Sequence, residues 1–209
     1  GTVSLSLSKT DFICDDVGEN IVTLTVTDNN GSSASKTAIV TVEDNIAPTV
    51  IVQNVSVELD ETGTASITVA DIDNGSLDNC EIATMTLNVT EFDCDAVGEK
   101  IVTLSVTDAS MNVTMATATV TVIDAIAPTV IVQNISIELD ANGVASIVAA
   151  DIDNGSLDNC GTVSLSLSKT DFICADVGEN IVTLTVTDVN DNVTTATATV
   201  TVLDLIAPT

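Results

Sequence analysis

The chain contains no histidine, no arginine, no tryptophan and no tyrosine, and its only cationic side chains are Lys9, Lys36, Lys100 and Lys169. Without histidine there is neither an imidazole general base nor a histidine-bearing zinc site, and without arginine there is no bidentate phosphate clamp. Against those lysines stand 31 acids, a formal charge of -27, which repels nucleic acid and anionic lipid surfaces. Cations are the partners such a chain attracts. No apolar run approaches the roughly 18 to 20 residues that span a bilayer. The opening "GTVSLSLSKT" lacks the basic start and continuous apolar stretch of a signal peptide, so any targeting or anchoring segment is expected outside this stretch.

What is present is strand composition. Hydrophobic residues make up 45% of the chain, almost all of them Val, Ile, Leu and Ala, with Thr and Ser between them. Shifting the sequence against itself by 80 residues aligns three copies, beginning at Gly1, Glu81 and Gly161, and the first and third differ only at Asp15 versus Ala175 over 28 residues. "IAPTVIVQN" recurs at 46–54 and 126–134, and "IAPT" closes the chain. This is a tandem array. The expected organisation is the later part of a repeat over 1–45, repeats over 46–125 and 126–205, and the start of another at 206–209.

Within a repeat the apolar residues alternate with period two: Val55, Val57, Leu59; Ala65, Ile67, Val69; Ala83, Met85, Leu87, Val89; Val102, Leu104, Val106; Ala116, Ala118, Val120, Val122. Such alternation predicts half-buried strands. Turn signals separate them at "DETGT", "DIDNGSLDN", "DAVGE" and "DASMN". About seven short strands per repeat predict an all-β fold of tandem immunoglobulin-like antiparallel β-sandwiches, and no segment has a helical period. Phe12, Phe92 and Phe172, one per repeat, are expected in the core.

The segment "DNCGTVSLSLSKTDFICADVGENIVTLTVTDVNDNVTTATATVTVLDLIAPT" resembles the hyalin repeat and related bacterial immunoglobulin-like repeats, in its "DNC" before a strand, its "VTLTVTD" strand and its "TATVTV" exit. The resemblance covers essentially the whole chain. It implies an extracellular, cell-surface module of large tandem adhesins, including those of gliding bacteria. The cysteines depart from the eukaryotic hyalin repeat, so no pairing is transferred from it.

Read by the repeat, Cys80 and Cys94 fall in one copy and Cys160 and Cys174 in the next, each pair 14 residues apart, with Cys14 left over. The spacing is read as disulfides within each repeat, a short loop contributing about 3 kcal/mol and implying an oxidising compartment. Reduced, buried thiols are the other reading.

Walking the chain through a sandwich brings both acidic turns to the end where the chain comes in. The linker carries Asp44 or Asp124; the first turn carries Asp71, Asp73 and Asp78, or Asp151, Asp153 and Asp158; the second carries Asp108, or Asp188 and Asp191. Carboxylates gathered at one end repel one another unless a cation sits among them. Hard oxygen ligands at flexible spacing suit Ca²⁺. The loop is no EF-hand, and Asp, Asn and Gly also form turns that need no metal. Asp28, Asp108 and Asp188 are equally readable as ligands or as hairpin caps. Glu19, Glu99 and Glu179 are expected in solvent, and the triplets at Asn54, Asn88 and Asn112 are read as chance matches to a glycosylation pattern.

The function expected is a structural segment of a long calcium-stabilised adhesin stalk or surface filament. The alternative is that the repeats themselves grip a glycan, a host or environmental surface, or a partner protein. Lateral self-association along strand edges is open to either. Paired aspartates acting in glycoside hydrolysis lack a cleft or aromatic subsites, so the chain is expected not to be an enzyme.

Overall fold

The computed structural model describes residues 1–207. In chain order the strands are β1 (Val3–Leu7), β2 (Gly18–Asp28), β3 (Ser33–Val42), β4 (Val55–Glu58), β5 (Thr64–Ser66), β6 (Ile82–Leu87), β7 (Glu91–Asp93), β8 (Gly98–Asp108) and β9 (Val113–Ile123). They continue as β10 (Ile135–Glu138), β11 (Val144–Ser146), β12 (Ser164–Leu167), β13 (Asp171–Ile173), β14 (Gly178–Thr187) and β15 (Val193–Leu203). The fold is all-β and immunoglobulin-like. Each complete repeat pairs a four-stranded sheet, β4-β9-β8-β6 or β10-β15-β14-β12, with a two-stranded one, β5-β7 or β11-β13.

By their contacts the residues form two compact units whose limits are not those of the sequence repeats. One comprises Gly1–Val55, Ile67–Thr90 and Ile101–Val120; the other comprises Ser56–Ser66, Glu91–Lys100 and the chain from Thr121 onward.

The second unit shows how alternation makes a core. In β14, Val182, Leu184 and Val186 are buried while Thr183, Thr185 and Thr187 face outward. Antiparallel pairing sets Val182 opposite Ala198 on β15 and Asn180 opposite Val200, so both strands turn their apolar sets to the same side. Phe172 of β13, fully buried, closes that core with Leu139, Ile147 and Ile152. Lys169 lies 4.9 Å from the Phe172 ring centre and ion-pairs with Asp176.

One pairing departs from the antiparallel expectation. β10 runs parallel to β15, with Ile135 opposite Val200 and Glu138 opposite Leu203. Both strands run from the incoming end to the outgoing end, so as neighbours they must be parallel. A second departure lies between β11 and the decapeptide, where the alternation predicts continued strand but the chain forms the helical turn α2 (Ala149–Ile152); α1 (Val69–Ile72) stands at the same place in the first unit.

In the first unit β1, β2 and β3 form an antiparallel sheet with Leu7 opposite Leu24 and Val22 opposite Ala38. Leu24 is 39% exposed, whereas Leu104 and Leu184, one and two periods later, are fully buried. Phe12 is half-buried. In β6 the register shifts between Ile82 and Thr84, a bulge that turns Ala83 out to solvent against its expected inward place.

Candidate metal centre

The decapeptide "DIDNGSLDNC" is divided among three tasks. Asp71 Oδ2 accepts the Thr68 backbone N–H at 2.7 Å and the Thr68 hydroxyl at 2.8 Å, capping α1. Those two bonds, the backbone one first, hold its carboxyl below the usual range. Asp73 receives the N–H groups of Ser76 and Gly75 at 3.0 and 3.3 Å, a turn in which Gly75 takes a left-handed φ of 90°. Asp151 and Asp153 repeat both arrangements with Val148, Ser156 and Gly155. The third aspartate goes elsewhere.

In the first unit Asp44, Asp78 and Asp108 each offer a carboxylate oxygen within 4.8 Å of the others, and in the second unit Asp124, Asp158 and Asp188 do the same. Asp108 ends β8 and is fully buried. Burial alone would raise its pKa, but the Asn112 amide and the backbone N–H groups of Asn112, Ser110 and Met111 outweigh that and hold it below the ordinary carboxylate value. Asp78 Oδ2 accepts the Cys80 N–H at 2.9 Å, and Asp44 Oδ1 accepts the Ile46 N–H at 3.1 Å. Their other oxygens, Asp78 Oδ1 and Asp44 Oδ2, are buried with no hydrogen-bond partner, as is Asp124 Oδ2 in the second unit. A buried carboxylate oxygen without a donor is costly, and like charges about 4 Å apart repel by about 4 kcal/mol at an effective dielectric constant of 20. A divalent cation answers both costs. The donor set is all hard oxygen, which fits Ca²⁺ and not a soft metal.

Sequence reasoning missed the asparagines that hold these centres. Asn112 Nδ2 donates to Asp108 Oδ2 at 2.7 Å and to the Asp44 carbonyl at 3.1 Å; Asn192 does so to Asp188 at 2.8 Å and to the Asp124 carbonyl at 3.1 Å. Asn79 adds a bond to Asp44 Oδ1 at 3.3 Å. The signal was available, since "DASMN" and "DVNDN" share an Asn four residues after the leading Asp. Asp191 lies outside the cluster, exposed at a left-handed φ of 68° where the other unit has Met111.

The cysteine pairing is a correction. Cys14 bonds Cys80 and Cys94 bonds Cys160, each pair 66 residues apart with Cα atoms 5.3 and 5.2 Å apart; Cys174 is free. Neither Cys80 with Cys94 nor Cys160 with Cys174 is joined. Between Cys160 and Cys174 the chain descends β12 and turns into β13 at the far end, where Cys174 lies beside Gly143. Two cysteines at opposite ends of a repeat are beyond the roughly 7 Å a disulfide tolerates, so each bonds across a junction instead.

No family model matches the chain, and no curated protein matches it. Among solved structures it is similar to the extracellular cadherin domains 1–4 of protocadherin gamma B7, at 11% identity and a TM-score of 0.42, with 97% of this chain and 66% of that one covered. It is also similar to domains EC1–2 of human mucin-like protocadherin, at 12% identity and a TM-score of 0.40, covering 75% and 98%. The chain thus spans just under two thirds of the first structure's length. At such values the likeness is one of fold class alone.

Proposed function

We propose that this chain is a segment of an extracellular adhesive stalk or surface filament of hyalin-repeat-like modules, whose junctions are clamped by Ca²⁺ and tied by disulfides. The observation that carries the reading is the set of buried, partnerless oxygens on Asp44, Asp78 and Asp124, each in a three-carboxylate cluster. Asp78 and Asp158 stand two residues before cysteines that tie one repeat to the next. A spacer under tension needs its repeats to resist separation, and a bound ion adds stability because it binds the folded junction and not the unfolded chain. The repeats-as-binder alternative gains no support from the groove of about 310 Å³ beside Cys14 and Cys80. Its lining of Cys14, Asp15, Val17, Glu81, Ala109 and Ser110 includes no aromatic face for a sugar.

Stretching single molecules of the full chain tests this. With disulfides intact, each 66-residue loop stays closed, hiding roughly 220 Å of contour at about 3.4 Å per residue. Ca²⁺ should raise the unfolding force of what remains. Equal unfolding forces in Ca²⁺ and in chelator would remove the clamp from the proposal.

A further inference from the structure

We propose that Cys174 is the open half of a third junction, and that its partner is the cysteine of an Asp-Asn-Cys segment on a repeat of this type following in register. The inference is separate from the cation reading, because it rests on the cysteines and the turns that flank them.

Three cysteines, Cys14, Cys94 and Cys174, occupy one position of the 80-residue period, each opening a 3₁₀ turn: Cys14–Asp16, Cys94–Ala96 and Cys174–Asp176. Two of the three are bonded, both to the cysteine 66 residues downstream. The 28 residues from Gly161 that contain Cys174 match those around bonded Cys14 at every position but one. The third position differs in having no such cysteine within the chain.

The surface around Cys174 is already that of a bonded junction. In the Cys94 junction Gly63 holds a φ of 73° and stands so near the sulfur that an added Cβ would lie 2.6 Å from Cys94 Sγ. The same point would be 3.1 Å from the Asn159 carbonyl oxygen and 3.5 Å from Cys160 Sγ. The incoming Asn-Cys thus packs directly on a glycine turn. Gly143, with a φ of 76°, repeats this against Cys174 Sγ at the same 2.6 Å. The turns are built alike: Gly63 N–H donates to the Asp60 carbonyl at 2.8 Å, and Gly143 N–H to the Asp140 carbonyl at 2.9 Å. Glycine is the residue that allows both the left-handed backbone and the close approach. The thiol of Cys174 is exposed and points at no other cysteine, so bare surface lies where Asn159 and Cys160 sit in the bonded copy.

Bond formation joins Cys174 Sγ to the incoming Sγ, with loss of two protons and two electrons. The electrons pass to a small-molecule disulfide oxidant, which is reduced to two thiols. The consequence is an array in which every repeat is covalently stapled at both ends, through its Asp-Asn-Cys cysteine at one and its 3₁₀-turn cysteine at the other.

The test extends the full chain by its own continuation, a copy of residues 130–209 placed after Thr209, which sets an added copy of Cys160 at 66 residues beyond Cys174. The protein is oxidised in a glutathione buffer containing calcium, alkylated, digested and mapped by mass spectrometry. Cys174 should be found joined to the added copy of Cys160, with its alkylation reduced about tenfold or more relative to the unextended chain. Gly143→Ala in the extended chain should restore much of that alkylation. Cys14–Cys80 and Cys94–Cys160 in the same molecules report that the protein has folded. If those pairs form while Cys174 stays alkylatable, or the added cysteines pair with each other, the proposal is overturned. It is equally overturned if Cys14–Cys80 and Cys94–Cys160 do not form, since their pairing is its basis.

Discussion

Asp78 and Cys80 connect two different bonds: Asp78 receives the Cys80 backbone N–H on one oxygen at 2.9 Å and leaves its other oxygen buried without a partner, while Cys80 is bonded to Cys14. Asp158 receives the Cys160 N–H at 2.8 Å, and Cys160 is bonded to Cys94. Asparagine between them completes the motif in the first unit, where the Asn79 carbonyl oxygen lies 3.5 Å from Cys14 Sγ and the Asn79 amide reaches Asp44. The "DNC" triplet therefore joins the cation centre to the covalent tie.

Cysteine replacement separates a working tie from an idle thiol. Cys94→Ser opens a 66-residue loop, which should cost about 4 kcal/mol in the chain-entropy model. Cys174→Ser touches an exposed free thiol and should change stability by less than about 0.5 kcal/mol. Urea melts of the two variants make the comparison. Because Cys160 positions Asp158, calorimetric titration of Cys94→Ser should also show weakened Ca²⁺ binding at the Asp124 centre with the Asp44 centre unchanged.

Gly63 and Gly143 offer a paired control. Alanine at either meets the same left-handed backbone, a cost of roughly 1–2 kcal/mol, and the same sulfur at 2.6 Å. At Gly143 the free thiol can rotate away; at Gly63 the sulfur is held in a disulfide. Thermal melts should therefore show Gly63→Ala lowering Tm more than Gly143→Ala. Equal losses would mean that backbone conformation alone sets the cost.

Acid should weaken the turns in a defined window. The Asp60 carboxyl is held below the ordinary 3.8 by the Thr62 hydroxyl, then by the N–H groups of Thr64 and Thr62; Asp140 is held below it by the Val144 N–H, then by Asn142. Asp16 and Asp176 are lowered chiefly by Lys9 and Lys169. A depressed folded pKa contributes stability in full above the unfolded value and loses it as pH falls through the folded one. The destabilisation caused by Asp140→Asn should accordingly be constant from neutrality to about pH 5 and shrink below 3.8, where the wild-type carboxyl also becomes protonated. Denaturant melts of both proteins across that range measure it.

The sandwich was legible in the sequence because Val182, Leu184 and Val186 alternate with threonine, and such alternation has one stable solution once one face is buried. The bulge at Ala83 was not, because a single extra residue leaves the alternation intact on either side. α1 and α2 were hidden in the same way, as four residues are too few to display a helical period. The gathering of linker, first-turn and second-turn acids at one end followed from the order of strands, but not which aspartate of the decapeptide would be left for a cation. Asp71 and Asp73 are claimed by nearby N–H donors, whereas Asp78 lies beyond that turn. The same strand order already placed Cys160 and Cys174 at opposite ends of a repeat; short sequence spacing was misleading because a strand intervenes. One pair of positions carried unused information: Lys9 with Asp16 and Lys169 with Asp176 become Val89 and Ala96 in the middle copy, where both members of the ion pair change together.

The central claim is that the two aspartate triads are Ca²⁺ centres, and thermal unfolding of the full chain in chelator and across Ca²⁺ and Mg²⁺ titrations tests it most directly. The account predicts a Tm that rises with Ca²⁺ and far less with Mg²⁺. Asp78→Asn with Asp158→Asn should abolish that rise, while Asp71→Asn with Asp151→Asn should lower the baseline and leave the rise in place. A Tm indifferent to Ca²⁺, or a rise that survives loss of Asp78 and Asp158, would contradict it.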